Sequence, residues 1–244
     1  MNEQRDLEGL SALVTGATSG IGTAAARQLA RQGAEVIVHG RDVIRGQAVV
    51  DAIIADGGKA RFAAADLSNP AELDDLARQA GTVDVLVNNA GVSWFGPTPE
   101  LDAATFGRLF TANVQAPYFL TAALAPKMAA RGGGSIINVG SMAGEIGMPG
   151  GAAYGATKAA LDSMTRSWAA EYSPAGVRVN TVAAGPAYTP IQPDEVAEAV
   201  GATTIMARVA QPDEIANVIV FLASPKASYI TGAVIAADGG RSAI

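Results

Sequence analysis

A chain of 244 residues that is 49% hydrophobic and 16% charged can build one sizeable buried core, and its composition argues against disorder. The formal net charge of -6 disfavours nucleic acid and anionic membrane as partners, since both select basic patches. Cysteine is absent and His39 is the only histidine, which excludes disulfides, thiolate metal sites and multi-histidine zinc sites, so no metal is expected. No stretch reaches bilayer length and the opening MNEQRDLEGL has no apolar signal core, pointing to a cytoplasmic protein.

In chain order, short apolar runs at 10–14, 35–38, 83–87, 136–139 and 177–182 read as strands, with a further one ending near 63–65. Helical segments lie between them, for example 23–31, 44–55 and 71–79. Continuous rather than alternating hydrophobicity in the strands indicates a parallel sheet covered on both faces. No Pro/Gly/Ser-rich linker divides residues 1–244, so the prediction is one doubly wound α/β domain. The irregular stretch 185–204 reads as a loop, with a mobile substrate lid expected at about 186–206.

Ligands of such sheets bind at the carboxyl ends of the strands. After the first strand runs Thr15-Gly16-Ala17-Thr18-Ser19-Gly20-Ile21-Gly22, leading into an alanine-rich helix. Glycines admit a pyrophosphate close to the backbone, and a helix N-terminus offers unpaired N–H groups. After the second strand comes His39-Gly40-Arg41-Asp42, with Gly40 where an NAD-binding acid would stand. Arg41 there favours the 2′-phosphate of NADP. Asp42 instead would serve the ribose of NAD, and a further reading makes the Arg41-Asp42 pair a helix-start charge and cap. His39 is expected to wall the adenine pocket, and Asp66 to meet the adenine amino group.

Asn88-Asn89-Ala90-Gly91 follows the fourth strand, Asn113 sits in Thr111-Ala112-Asn113-Val114, and Ser141 follows the fifth strand. Tyr154-Gly155-Ala156-Thr157-Lys158 places a phenol and an ammonium four residues apart, on one face of a helix. A neighbouring ammonium lowers a phenol's pKa toward the range useful for proton transfer.

With these motifs in this order, the chain resembles the short-chain dehydrogenase/reductase family over essentially its whole length. The resemblance implies a Rossmann fold with a seven-stranded parallel sheet and an NAD(P)-dependent oxidoreductase. By the same resemblance, Tyr154 exchanges the hydroxyl proton, Lys158 tunes it and holds the nicotinamide ribose, Ser141 binds the substrate oxygen, and Asn113 holds a water. Cofactor contacts are implied at Gly16, Thr18, Ser19, Gly20, Ile21, Gly22, Arg41, Asp66, Leu67, Asn89, Ala90, Gly91, Tyr154, Lys158, Pro186 and Thr189. Residues Ser228-Tyr229-Ile230-Thr231-Gly232 and Asp238-Gly239-Gly240 match the family's last strand and subunit contacts, implying a homotetramer or homodimer. The chain departs from the family at Ala184-Gly185-Pro186, where Pro-Gly is usual, and at Ser19, where NADP enzymes often carry a basic residue.

The substrate is expected to be a small or medium apolar ketone or alcohol, in a pocket walled by Trp94, Met142, Met148 and Tyr188, with Phe95, Ile191 and Met206 nearby. NADPH-dependent carbonyl reduction, similar to β-ketoacyl-ACP reductases, is the leading expectation. NAD-dependent alcohol oxidation, a non-redox enzyme on the same fold and a dinucleotide sensor are its competitors.

Overall fold

The computed structural model describes residues 5–244, so the first four residues of the N-terminal stretch lie outside it. Seven parallel strands form one sheet in the order β3-β2-β1-β4-β5-β6-β7. They are β1 (Ser11–Val14), β2 (Glu35–Gly40), β3 (Lys59–Ala64), β4 (Val85–Asn88), β5 (Gly134–Ser141), β6 (Val177–Ala184) and β7 (Val234–Ala237). The central strands are buried almost throughout, which explains their unbroken apolar runs. The order reverses between β1 and β4, and such a switch point opens a crevice at the strands' carboxyl ends.

One face of the sheet packs against α1 (Gly20–Arg31), α2 (Val43–Ala55) and α8 (Pro212–Ala223) in a core that includes Ala25, Leu29, Val50, Ile215 and Ile219. The other face carries α3 (Pro70–Ala80), α5 (Ala116–Ala130) and α6 (Ala152–Tyr172), with Leu76, Leu120, Leu124, Leu161 and Trp168 in its core. Helix starts follow capping chemistry. Asn69 accepts from the Ala71 amide just before Pro70 at the head of α3, and Asp102 accepts from Thr105 at the head of α4 (Ala103–Phe110).

Three features differ from the sequence-based expectations. The third strand lies at Lys59–Ala64, earlier than expected, because its alternating, half-exposed pattern masks the apolar run. β5 and β6 run two residues further than their apolar runs, through Gly140-Ser141 paired with Ala183-Ala184. These are small residues with little hydrophobic signal. Ala184 stands where the family carries proline, and it continues β6 between Ser141 of β5 and Ala237 of β7. A proline could not donate in a central strand.

The stretch expected to be an irregular lid contains a helix, α7 (Asp194–Gly201), with Asp194 and Glu195 in its first turn. Its base is pinned: the Tyr188 amide donates to the Ala210 carbonyl and the Ala210 amide to the Pro186 carbonyl. Among the described residues no helix is long and apolar enough to cross a membrane, and no group of three His, Cys, Asp or Glu side chains is placed to hold a metal ion.

Candidate active site

A cleft of about 1000 Å³ opens outside the carboxyl ends of the central strands, at the top of the usual range for small-molecule sites. One end is walled by the glycine loop and the ends of β2 and β3, the other by Trp94, Phe95, Met142 and Met148.

At the first end, close approach dictates the sequence. Gly16 takes φ +63°, and a Cβ there would lie 2.9 Å from Ala90 Cα. A Cβ on Gly22 would lie 2.3 Å from the Gly16 carbonyl oxygen and 2.5 Å from Asn89 Nδ2, so the first turn of α1 packs directly on the loop. Ser19 heads α1 without a side-chain capping bond, leaving the helix N-terminus facing the cleft. The loop is tied down from β4. Asn89 Nδ2 donates to the carbonyls of Thr15 (2.8 Å) and Gly16 (3.1 Å), and the amides of Asn89 and Ala90 both donate to Thr15 Oγ1 at 3.0 Å. Asn89 thus holds the loop through Nδ2 and also lines the cleft. This backbone cradle, too tight for any Cβ at Gly16 or Gly22, fits a pyrophosphate.

His39 lies buried beneath the same loop. Its Nδ1 accepts from the Gly16 amide at 3.3 Å and its Nε2 lies 3.1 Å from the Ala65 carbonyl, which requires the proton on Nε2. Burial lowers its pKa to about 4, so the ring is neutral and links the loop to the end of β3. Next along, Asp66 lines the cleft and accepts from the Ser68 amide and hydroxyl, bonds that keep its carboxyl ionised. Leu67 lines the cleft beside it.

Residues 40–42 join the end of β2 to the start of α2. At Gly40 a Cβ would lie 2.4 Å from Thr18 Cγ2, so a side chain there would require Thr18 to turn aside. Asp42 caps α2, accepting from the Arg45 amide at 3.0 Å and from Arg45 Nε at 2.8 Å, and it also lines the cleft. Arg41 lines the cleft, is exposed, and makes no ion pair among the described residues.

At the middle of the cleft the four residues of the expected constellation converge. Tyr154 and Lys158 project from the first turns of α6, and Ser141 ends β5. Lys158 is buried, its Nζ lying 5.7 Å from the Tyr154 ring centroid and donating to the Val139 carbonyl at 2.8 Å. Desolvation brings its pKa down to about 8, partly opposed by Asp162. Burial pushes the Tyr154 phenol above its ordinary value, and a hydrogen bond with Ser141 works in the opposite direction.

Asn113 lies in a π-helical turn (Thr111–Gln115) joining α4 to α5. Its side chain makes three bonds: Oδ1 accepts from the Val92 amide at 2.9 Å, and Nδ2 donates to the Val92 carbonyl (2.8 Å) and Thr157 Oγ1 (3.0 Å). Turns of this π type frequently mark functional sites. A Cβ on Gly91 would lie 2.9 Å from Asn113 Oδ1 and 3.7 Å from Lys158 Nζ, so this glycine admits both side chains.

Of the expected substrate walls, Trp94, Met142 and Met148 line the cleft, as do Phe95 and Ile191. Phe95 packs on Tyr154 with ring centroids 5.4 Å apart. Tyr188 and Met206 do not line it. The bonds between Tyr188 and Ala210 turn the Tyr188 ring to an outer groove beside Arg45 and Pro212, where its hydroxyl lies 3.4 Å from Glu198 Oε1. The Met206 amide donates to the Gly239 carbonyl, fixing that residue by the C-terminal turn. Pro186 and Thr189 line the cleft, Thr189 with its methyl against Gly20. Thr18, Gly20, Ile21, Ala90 and Gly91 line it as expected, while Gln192 and Val200 are walls not anticipated from the sequence.

Residues 16–242 match the family model described as enoyl-(acyl carrier protein) reductase. A cis-4-hydroxycyclohexanecarboxylate dehydrogenase from Sinomonas cyclohexanicum is 38% identical over 242 residues, covering 96% of both chains. A solved short chain dehydrogenase/reductase family protein superposes with a TM-score of 0.93 at 49% identity, covering 98% of this chain and 100% of the other. A Beutenbergia cavernae protein described as an NAD(P) dependent gluconate 5-dehydrogenase, solved with NADP bound at low occupancy, superposes with a TM-score of 0.94 at 37% identity, over 99% and 100% of the two chains. With the cradle, the cleft and these likenesses in agreement, the chain belongs to the short-chain dehydrogenase/reductase family and is an NAD(P)-dependent oxidoreductase of alcohols and ketones.

Proposed function

We propose that the chain is an NADPH-dependent carbonyl reductase that converts a small or medium apolar ketone to a secondary alcohol, reversibly. The observation that carries the cofactor preference is Arg41, exposed at the cleft wall with no ion pair among the described residues, while its neighbour Asp42 is held by Arg45. A guanidinium so placed suits a 2′-phosphate.

The residues that would hold the dinucleotide are the loop Gly16 to Gly22, Arg41, Asp66, Leu67, Ala90, Gly91, Lys158, Pro186 and Thr189. When bound, the nicotinamide supplies a hydride to the carbonyl carbon or takes one from the alcohol. Ser141 donates a hydrogen bond to the substrate oxygen, and Tyr154 gives that oxygen its proton. Burial keeps the Tyr154 phenol in its acid form, the form that can give the substrate oxygen a proton. Lys158 presents a positive charge beside the phenol and the ribose. Trp94, Met142 and Met148 favour an apolar substrate body. Exposed Phe106, Tyr118 and Phe119 on α4 and α5 support assembly into a homodimer or homotetramer. A cysteine-free chain drawing on reduced NADP fits the cytoplasm.

The deciding experiment follows nicotinamide absorbance with NADPH or NADH, offered an apolar cyclic ketone or an acetoacetyl thioester. NADPH should be oxidised well above NADH, and Arg41→Ala should erase most of that preference, on the order of 10- to 100-fold. Preference for NADH in the unmodified protein would sink the assignment of Arg41. Tyr154→Phe should lower kcat on the order of a thousandfold with cofactor affinity retained. Retention of turnover in that variant would overturn the role given to Tyr154.

A further inference from the structure

Asp162 is a buried carboxylate that the chemistry above does not use. It lies on α6 one turn past Lys158, is 4% exposed, and its Oδ1 has no hydrogen-bond partner. Lys158 Nζ is bound to the carbonyl of Val139, and Asp162 Oδ1 lies over the next residue of β5, 3.4 Å from where a Cβ on Gly140 would stand. The two charged ends therefore sit over adjacent residues of one strand, on a single face of one helix. No direct ion pair joins them among the described residues, so they interact through space at a buried site.

Thr181 of β6 flanks the same Gly140 as Asp162 and belongs to a buried chain of side chains. Thr181 Oγ1 lies 2.8 Å from Thr165 Oγ1, which accepts from Asn138 Nδ2 at 2.7 Å, and Asn138 Oδ1 accepts from Asn88 Nδ2 at 2.9 Å. That chain forms one wall around the carboxylate. The charged groups facing it are Lys158 and Arg166 from its own helix and Glu145 from the segment after β5.

We propose that Asp162 is a positioning residue for the reaction, a buried anion that keeps the Lys158 side chain charged and directed at the cleft floor. Burial of an ammonium favours its neutral form, and a carboxylate nearby opposes that. Burial also makes the carboxyl weaker as an acid, with a pKa of about 6, so it carries its charge at neutral pH and sheds it in mild acid.

The proposal rests on the reading of Lys158 as the charge beside Tyr154, and a test without cofactor or substrate separates the two. In 15N-lysine-labelled protein, the Nζ signal of Lys158, assigned by its loss in Lys158→Met, is followed against pH. In Asp162→Asn, which keeps shape and removes charge, the midpoint should fall by about one pH unit. An unchanged midpoint overturns the proposal. The unmodified protein provides a second arm that needs no variant to fold. Its Nζ signal should show a smaller step near pH 6 as Asp162 titrates, and a curve with one step overturns the proposal equally. In turnover, the alkaline limb of the kcat/KM profile should shift downward in Asp162→Asn by the same interval as the Nζ midpoint. A lower plateau with an unmoved limb would mark Asp162 as merely structural. Absence of turnover in the unmodified protein would count against the redox reading alone, since the Nζ titration stands without it.

Discussion

The two ends of the cleft are built on different principles. The dinucleotide end is made of main chain: Gly16 and Gly22 are each too close to a neighbour for any Cβ, and Asn89 and His39 use polar atoms to hold the loop. The substrate end is made of side chains, Trp94, Phe95, Met142 and Met148. A site formed by backbone can hold one shape of ligand for any chemistry, whereas a wall of long apolar side chains can be re-cut without disturbing the frame.

The largest test of that contrast is Gly22→Ala. Its Cβ must displace the Gly16 carbonyl or the Asn89 amide, both parts of the tied loop, so NADPH affinity should fall on the order of a hundredfold by fluorescence titration. An alanine that binds NADPH normally would mean the loop is less tightly set than its contacts require. Next comes acid stability, which pits the two ends against each other. His39 is lowered to about 4 from 6.5, so its contribution is complete above pH 6.5 and is lost as pH falls toward 4. Asp162 is raised to about 6 from 3.8, so its contribution is present below 3.8 and is lost as pH rises through 6. Each amounts to something on the order of 2 kcal/mol, and in the unmodified protein they offset. Denaturant midpoints of Asp162→Asn should therefore drop steeply between pH 6.5 and 4, while those of His39→Gln should rise or hold. Matching profiles in the two variants would refute the opposition. The smallest effect belongs to the substrate wall. Met148→Ala should leave stability within about 0.5 kcal/mol, yet change KM for bulky ketones up to about tenfold.

The contrast also explains what the sequence made legible. Gly16 to Gly22, the Tyr154–Lys158 spacing and the order of strands could be read directly, because close approach and helical geometry leave few residue choices. The direction of Tyr188 could not be read, since it follows from a main-chain bond of its amide to Ala210, far along the chain, and from the bond of Ala210 to Pro186. α7 could have been found from Pro193 followed by Asp194 and Glu195, a helix-start pattern set within an otherwise irregular stretch. The bonds of Asn113 to Val92 and Thr157 are tertiary facts, whereas Asp42 three residues before Arg45 carried a capping signal. Asp162 was written in the sequence as the fourth residue after Lys158, but only its burial beneath β5 and β6 gives that spacing meaning.

The π-turn at Thr111–Gln115 has a consequence for how such a gene can vary. Because the turn holds one residue more than a regular helix would, loss of a single codon there would remove the bulge and leave the helices on either side in register. Buried Leu120 and Leu124 would stay on the sheet, and what would be lost is the displaced main chain around Asn113. A deletion at these five positions should therefore spare the fold and cost activity, so chain length, as much as residue identity, guards the floor of the cleft.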